Sequence, residues 1–253
     1  MGEGSPQPDA PPPYQPPEVP AMPLPAAPGA PVVLERREGP HGEVVLRRRG
    51  EGAEAVHEII ANGCFLMDTS DGRSERLLVD AAHGALQTGN VAPSVLIGGL
   101  GVGFSFAHAA AGSDWRRIVV VEREQAIVDW HRSGPLAAVS GEALGDPRSV
   151  ILRTDLVAYL RTTADRFDAL CLDIDNGPDW TVTEDNSALY SPSGLASCRR
   201  VLRPGGVLAV WSAKPSAPFE EALRNAGFTA VRTEEITVAR GVPDVVHLAV
   251  SPA

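Results

Sequence analysis

Acidic residues follow several apolar segments of this sequence at positions where they can bind a nucleoside. Glu122 ends the apolar run Val119–Val121 and lies about 20 residues after a glycine-rich turn, a spacing at which the carboxylate can accept the ribose hydroxyls. The turn contains Gly98, Gly99, Gly101 and Gly103. Glycine permits positive φ and close approach of the backbone to a ligand, and the helix that follows offers free N–H groups. Together these features predict a nucleoside-binding crevice.

Two further carboxylates favour a positively charged cofactor. Asp155 follows the apolar run 150–152, where it can accept a hydrogen bond from an adenine amino group, and Asp173 follows a fourth apolar run. Acids at successive strand ends complement the positive charge of a sulfonium, whereas a nicotinamide cofactor does not require them. We therefore predict a nucleoside cofactor that carries a sulfonium. For Asp155 a second role stays open, that of an N-cap for a helix beginning at Leu156.

The segment after Asp173 is predicted to bind a second substrate. It carries several acids and no lysine or arginine as far as Tyr190, so it would attract a cationic amine. Asp173 is the candidate catalytic residue, because a carboxylate can position an amine and take its proton. We assign Asp175, Trp180 and Tyr190 to acceptor binding. Trp180 either walls the pocket through a cation–π contact or anchors the loop on the core, and both interpretations stay open.

Strand and helix signals alternate after residue 94, which is typical of a parallel sheet with helices on both faces. Strands are predicted at Val95–Ile97, Ile118–Val121, Val150–Leu152, Ala169–Ile174, Val207–Trp211, Ala230–Ile236 and Val245–Val250. Helices are predicted at Phe104–Ala111, Glu124–His131, Leu156–Arg161 and Gly194–Leu202. The short connection between the last two strands favours an antiparallel pair at the sheet edge. The predicted fold is therefore α/β and Rossmann-like, with a mostly parallel seven-stranded sheet.

The residues before this sheet divide into two parts. Residues 1–31 hold 12 of the 23 prolines and are predicted to form a disordered tail. Residues 32–72 contain short apolar segments and the Asn62-Gly63 turn signal, and we expect a small β appendage there. Residues 73–253 then form the catalytic domain, which opens with an amphipathic helix near Ser74.

Composition argues against several classes of function. A formal charge of −10 with scattered lysine and arginine is unsuited to nucleic-acid binding. The cysteines and histidines show no spacing typical of a metal site, and the start of the chain has no signal-peptide pattern. Glycines interrupt the apolar window 95–112, so we expect no membrane span. We predict a cytoplasmic protein without a metal ion.

These motifs resemble the spermidine synthase (polyamine aminopropyltransferase) branch of the class I S-adenosylmethionine-dependent methyltransferase superfamily. The resemblance covers most of residues 32–236 and rests on the glycine turn, Val119–Glu122, Asp155, Asp168–Asp173, Leu189-Tyr190-Ser191 and Val201–Val207. It implies that Glu122 binds the ribose, that Asp155 binds the adenine and that Asp173 lies beside the amine nucleophile. By analogy it also implies a homodimer.

Three positions depart from that family's pattern. Gly101 stands where the family has an acid in its loop, Asn176 lies near the place of a second carboxylate, and Arg73-Ser74 replace a Tyr-His pair. An acid in the loop would repel the carboxylate of intact S-adenosylmethionine, so glycine is expected to leave backbone donors free to receive it. We therefore predict methyl transfer from intact S-adenosylmethionine to a small, amine-bearing molecule.

Two alternatives remain open at this stage. The first is aminopropyl transfer from decarboxylated S-adenosylmethionine, the reaction of the family that the motifs resemble. The second is a non-catalytic protein that retains the fold to bind a ligand or a partner. Retention of the glycine turn together with Glu122, Asp155 and Asp173 argues against the second.

Overall fold

The computed structural model describes residues 30–39, 41–174, 176–181, 186–237 and 243–252. The predicted disordered tail lies outside these residues, apart from its last two positions. Residues 31–253 make up one compact unit, which contains two sheets.

The first sheet is a small antiparallel one that follows chain order. Its strands are β1 (Val32–Gly39), β2 (Gly42–Arg49), β3 (Val56–Ala61) and β4 (Cys64–Asp68). Asn62 and Gly63 turn the chain between β3 and β4 with φ values of +50° and +77°, which this residue pair adopts readily. The buried side chains of Leu46 and Ile59 join the same apolar core as the larger sheet. The N-terminal β appendage of the predicted fold is thus confirmed.

The second sheet has seven strands and is mostly parallel. They are β5 (Ser94–Gly98), β6 (Arg117–Glu122), β7 (Ser149–Arg153), β8 (Phe167–Leu172), β9 (Leu202–Ser212), β10 (Thr229–Ile236) and β11 (Asp244–Val250). Their order is β10-β11-β9-β8-β5-β6-β7, and β11 runs antiparallel to both of its neighbours. The predicted fold class is therefore confirmed, including the antiparallel C-terminal edge.

Helices cover both faces of this sheet. The sheet separates two apolar cores. They are α1 (Arg73–Gly84), α2 (Phe104–Ala111), α3 (Gln125–Ser133), α4 (Ala137–Ser140), α5 (Leu156–Thr162), α6 (Ser187–Tyr190), α7 (Pro192–Val201) and α8 (Ala217–Asn225). Leu78, Phe106 and Ile127 fill the core on the side of α1, α2 and α3. Leu160 and Leu223 fill the core on the other side.

Strand order reverses at β5, which lies between β6 and β8. In an open α/β sheet the connections on the two sides of such a point lead to opposite faces, and a crevice opens beyond the carboxyl ends of the strands. The glycine turn follows β5 directly, so it lies at this point. Among the described residues, no helix combines the length and the apolar character that crossing a bilayer requires.

Candidate functional site

A cavity of about 380 Å³ lies where the carboxyl ends of β5, β6 and β8 face the N-terminal sheet. This volume is in the range of small-molecule sites. Glu122, Asp155 and Asp173 all contribute to its lining, together with Gly99 and Gly101. The structure thus brings the predicted carboxylates into one cavity with the glycine turn.

The glycine turn is held in a conformation that other residues would adopt only with strain. Gly99, Gly101 and Gly103 have φ values of +91°, +49° and +98°. A Cβ atom at Gly99 would overlap the carbonyl oxygen of Asp173, so the backbone of β8 packs directly on the turn. Gly98 and Gly103 do not line the cavity and instead allow this close packing, since a Cβ at Gly103 would lie 2.6 Å from His131 Cε1.

His131 on α3 fixes the far side of the same turn. Its Nε2 lies 2.8 Å from the carbonyl oxygen of Gly101, and its Nδ1 is hydrogen-bonded to Ser140 Oγ. A carbonyl can only accept, so Nε2 carries the proton and Nδ1 accepts from the hydroxyl. Burial lowers the pKa of His131 and keeps the ring neutral. This role of His131 was not predicted from the sequence, because Gly101 and Ser140 lie 30 and 9 residues away from it.

Glu122 ties the end of β6 to the glycine turn. One carboxylate oxygen accepts from the backbone N–H of Leu100 at 3.0 Å, and the other accepts from Glu124 N–H at 2.8 Å. Burial raises the pKa of Glu122, although these two hydrogen bonds oppose the effect. The residue also lines the cavity, where a ribose hydroxyl would donate to its carboxylate.

Asp155 caps the helix that follows it and also lines the cavity. Its Oδ1 accepts from the backbone N–H of Ala158 at 2.7 Å, which is the N-cap bond of α5. The two roles that the sequence left open are therefore compatible. One oxygen serves the helix, while the residue remains at the cavity wall where an adenine amino group would donate.

Three carboxylates from distant parts of the chain come together in the lining of the cavity. Asp173 follows β8, Glu75 lies in the first turn of α1, and Asp244 begins β11. Burial, followed by repulsion from Asp173, raises the pKa of Glu75 to about 8. Burial and repulsion from Asp244 raise the pKa of Asp173 to about 6, while a hydrogen bond from Ser105 at 3.1 Å opposes this shift. Such a cluster is stabilised by protons or by a bound cation.

Asp244 was not predicted from the sequence, and the topology explains why. The acids predicted from the sequence follow parallel strands, whereas Asp244 is the first residue of the antiparallel strand β11. Because β11 runs antiparallel to β9, its first residues lie beside the last residues of β9, with Val245 opposite Ser212. The start of β11 therefore reaches the same edge of the sheet as the carboxyl ends of the parallel strands.

Two of the predicted acceptor-binding residues, Trp180 and Tyr190, do not line the cavity. Trp180 is 62% exposed and does not line the cavity. The chain before it is held beside the residues that follow β9. Asn176 O accepts from Ala213 N–H at 3.1 Å, and Asp179 accepts from the Ser216 hydroxyl at 3.0 Å. Tyr190 likewise lies outside the lining. Its ring packs edge-on against Phe219 at 5.6 Å.

Asp175, the remaining acceptor-binding prediction, falls outside the described residues. The described residues that line the cavity include Asn186 and Trp211. Trp211 lies near the end of β9, and it both packs against the core and lines the cavity.

Met67 from β4 occupies space beside the glycine turn. Its sulfur accepts a hydrogen bond from Val102 N–H at 3.2 Å. A Cβ atom at Gly101 would overlap this sulfur and would lie 3.3 Å from the Met67 methyl carbon. Two backbone donors of this turn are therefore engaged, Val102 by Met67 and Leu100 by Glu122.

The cavity is strongly acidic. Nine of its lining residues are carboxylates: Glu43, Asp68, Asp71, Glu75, Glu122, Glu124, Asp155, Asp173 and Asp244. Among the described lining residues Arg123 is the only lysine or arginine. A ligand with more than one positive charge is favoured in such a field, and a ligand carboxylate is disfavoured.

In sequence, the chain is similar to curated polyamine aminopropyltransferases. It is 24% identical over 190 residues to the polyamine aminopropyltransferase of Prochlorococcus marinus strain MIT 9215, which covers 72% of this chain and 64% of the relative. It is 32% identical over 155 residues to polyamine aminopropyltransferase 1 of Pseudomonas aeruginosa, covering 60% and 48%. The chain thus spans less than two thirds of the length of these relatives. No family model matches it.

In structure, the chain is similar to a spermidine synthase solved in complex with the transition state analogue AdoDATO. The TM-score is 0.71 at 16% sequence identity, with 87% of this chain and 74% of that chain covered. At this identity the likeness establishes the fold.

Proposed function

We propose that this chain, a spermidine-synthase-like member of the class I methyltransferase-like fold, transfers an aminopropyl group from decarboxylated S-adenosylmethionine to a small amine. Its sequence relatives are polyamine aminopropyltransferases, which supports aminopropyl transfer over methyl transfer. Since the chain spans only part of those relatives, the activity is a proposal for this protein.

The observation that carries the proposal is the grouping of Glu75, Asp173 and Asp244 in the lining of the same cavity as the glycine turn and Glu122. Decarboxylated S-adenosylmethionine carries a sulfonium and an ammonium group and no carboxylate, and a protonated amine acceptor adds further positive charge. Both substrates therefore complement the acids that line the cavity.

The sequence-based choice of the intact methyl donor was wrong in its physical premise. It assumed that Gly101 leaves backbone donors free for the donor's carboxylate. The sulfur of Met67 takes up both the space at Gly101 and the N–H of Val102. A carboxylate at this place would also face the acids of the cavity. Aminopropyl transfer, the alternative, fits these contacts better.

In the proposed reaction Asp173 acts on the acceptor. Its carboxylate accepts a hydrogen bond from the acceptor ammonium and takes one proton, which frees the nitrogen lone pair. The nitrogen attacks the aminopropyl carbon that is bonded to the sulfonium sulfur. A C–N bond forms to this carbon as its C–S bond breaks. The sulfur keeps the bonding electrons and leaves as the neutral thioether of 5′-methylthioadenosine. Glu75 and Asp244 hold positive charge in line with the reacting atoms.

A product assay with a matched variant tests the proposal. The protein is incubated with putrescine and either decarboxylated or intact S-adenosylmethionine, and the nucleoside products are identified by mass spectrometry. We expect 5′-methylthioadenosine and an aminopropylated amine from the decarboxylated donor. Formation of S-adenosylhomocysteine from the intact donor, or no transfer to any short diamine, would contradict the proposal.

Asp173→Asn provides the matched variant, since it keeps the shape of the side chain and removes the base. General-base catalysis is worth roughly 100- to 10,000-fold, so turnover should fall by that order. Binding of 5′-methylthioadenosine, measured by calorimetry, should be unchanged because Glu122 and Asp155 remain. Wild-type turnover in this variant would remove Asp173 from the catalytic role.

A further inference from the structure

The thioether of Met67 fills a place that is open to the cavity and next to the glycine turn. Met67 reaches it from the N-terminal sheet, 35 residues before its hydrogen-bond partner Val102. The sulfur accepts from Val102 N–H at 3.2 Å and stands where a side chain on residue 101 would point. Met67 therefore takes up both the volume and the donor that a side chain or a ligand group could otherwise use there.

Two further backbone donors of the turn, those of Gly99 and Leu100, are also engaged. Gly99 N–H donates to Val121 O at 2.9 Å, and Leu100 N–H donates to Glu122. An anionic group placed beside residue 101 would thus meet a thioether and would lack the amides of residues 99, 100 and 102. Burying a carboxylate without hydrogen-bond donors is costly.

This contact bears on the one chemical difference between the two sulfonium donors. Intact S-adenosylmethionine carries a carboxylate on the carbon that holds its amino group, and the decarboxylated donor has hydrogen there. In the proposed function the tail of either donor runs from the nucleoside at Glu122 towards the acids around Asp173, and Gly101 and Met67 line the same cavity. A methylene chain packs well against a thioether, whereas a carboxylate does not.

We infer that Met67 is a specificity-determining residue, which excludes the carboxylate of intact S-adenosylmethionine and so selects the decarboxylated donor. The inference rests on the proposed function. Selection between the two donors would then depend on a side chain of the N-terminal sheet. The glycine turn alone cannot make this selection, because Gly101 has no side chain.

The test compares the dissociation constants of three ligands by calorimetry. The ligands are decarboxylated S-adenosylmethionine, intact S-adenosylmethionine and 5′-methylthioadenosine, which lacks the tail altogether. In Met67→Ala the freed Val102 N–H can receive a carboxylate, so discrimination against the intact donor should fall about tenfold, as for one hydrogen bond to a charged group. Met67→Leu keeps the bulk and should keep most of the discrimination. Both variants should bind 5′-methylthioadenosine like the wild type.

The outcomes separate this inference from the function on which it rests. If Met67→Ala binds 5′-methylthioadenosine normally and discriminates between the two donors as the wild type does, Met67 does not set the choice. If the wild type binds none of the three nucleosides, the proposed function fails and the inference fails with it.

A second pair of variants keeps the inference testable if Met67→Ala is unstable. Gly101→Asp alone should weaken binding of all three ligands, because the new side chain overlaps Met67, although aspartate tolerates the φ of +49°. Adding Met67→Ala should make room for the aspartate and restore preference for the decarboxylated donor. Unchanged ligand binding in the single Gly101→Asp variant would show that Met67 does not fill this place.

Discussion

At the scale of single residues, the main feature is the repulsion among Glu75, Asp173 and Asp244. Desolvation and like charge raise the pKa of Glu75 and of Asp173, so part of this cluster is protonated near neutral pH when no cation is bound. A bound ammonium group would offset the repulsion. The cluster is thus suited to hold an amine and costs stability when empty and charged.

The pKa of Glu75 predicts how stability depends on pH. Its folded value of about 8 lies above the ordinary 4.5, so the folded protein retains a proton that the unfolded chain releases between these values. Its contribution to stability is full below pH 4.5 and is lost as pH rises towards 8. We expect the unfolding temperature of the ligand-free protein to fall over this window, and Glu75→Gln to flatten the fall.

Scanning calorimetry at a series of pH values measures this effect. Glu221→Gln serves as a control, since it removes one acid from α8, away from the cavity lining. Parallel curves for the wild type and Glu75→Gln would show that Glu75 is not protonated in the folded state.

At the scale of elements, the sequence predicted the seven strands of the large sheet individually and a small β appendage before them, because buried strands need continuous apolar residues. Helix α2 was predicted with its observed bounds. Helix α8 was missed, since only Phe219 and Leu223 are buried in it and a proline stands in its first turn. The position of Trp180 outside the cavity lining could not be predicted for a different reason. The path of its loop depends on hydrogen bonds to residues 213 and 216, more than 30 positions away.

Asp155 offers a test of how one residue serves both an element and the site. Asp155→Asn keeps a capping oxygen for α5 and removes the charge, whereas Asp155→Ala removes both. We expect Asp155→Ala to lose about 0.5–2 kcal/mol of unfolding free energy, and Asp155→Asn to lose little. Both variants should bind 5′-methylthioadenosine more weakly.

Denaturant titration and calorimetry on the two variants separate these effects. Wild-type nucleoside affinity in both would mean that Asp155 serves only as a helix cap. A large loss of stability in Asp155→Asn would mean that its charge, rather than its capping bond, holds α5.

At the scale of the whole molecule, the cavity is built from two sheets that meet only in the folded chain. The sequence identified the carboxylates at the ends of β6, β7 and β8 because each follows its own strand. It did not identify Met67, Asp244 or His131, whose positions depend on contacts between distant segments. The family resemblance implied the fold. The proposed preference for the decarboxylated donor rests instead on the contacts around Gly101.

The acidic lining predicts that ligands respond differently to salt. Raising the ionic strength from 0.01 M to 1 M shortens the Debye length from about 30 Å to about 3 Å, which weakens long-range attraction between a cation and the nine carboxylates. Putrescine should bind more weakly and more slowly at high salt, while uncharged 5′-methylthioadenosine should be little affected. Calorimetry and stopped-flow kinetics over a salt series measure both. An equal salt dependence of the two ligands would argue against an electrostatic role for the lining.

The central claim is that one cavity holds a sulfonium nucleoside on the glycine turn and directs its amine-bearing tail towards three carboxylates. A crystal structure of the wild-type protein with decarboxylated S-adenosylmethionine and no acceptor tests it most directly, because all three carboxylates are present and no transfer occurs without the amine. We predict the ribose hydroxyls on Glu122, the methylene chain against Met67, and the ammonium group of the donor among residues 75, 173 and 244. A nucleoside bound elsewhere, or a tail directed away from these acids, would contradict the account.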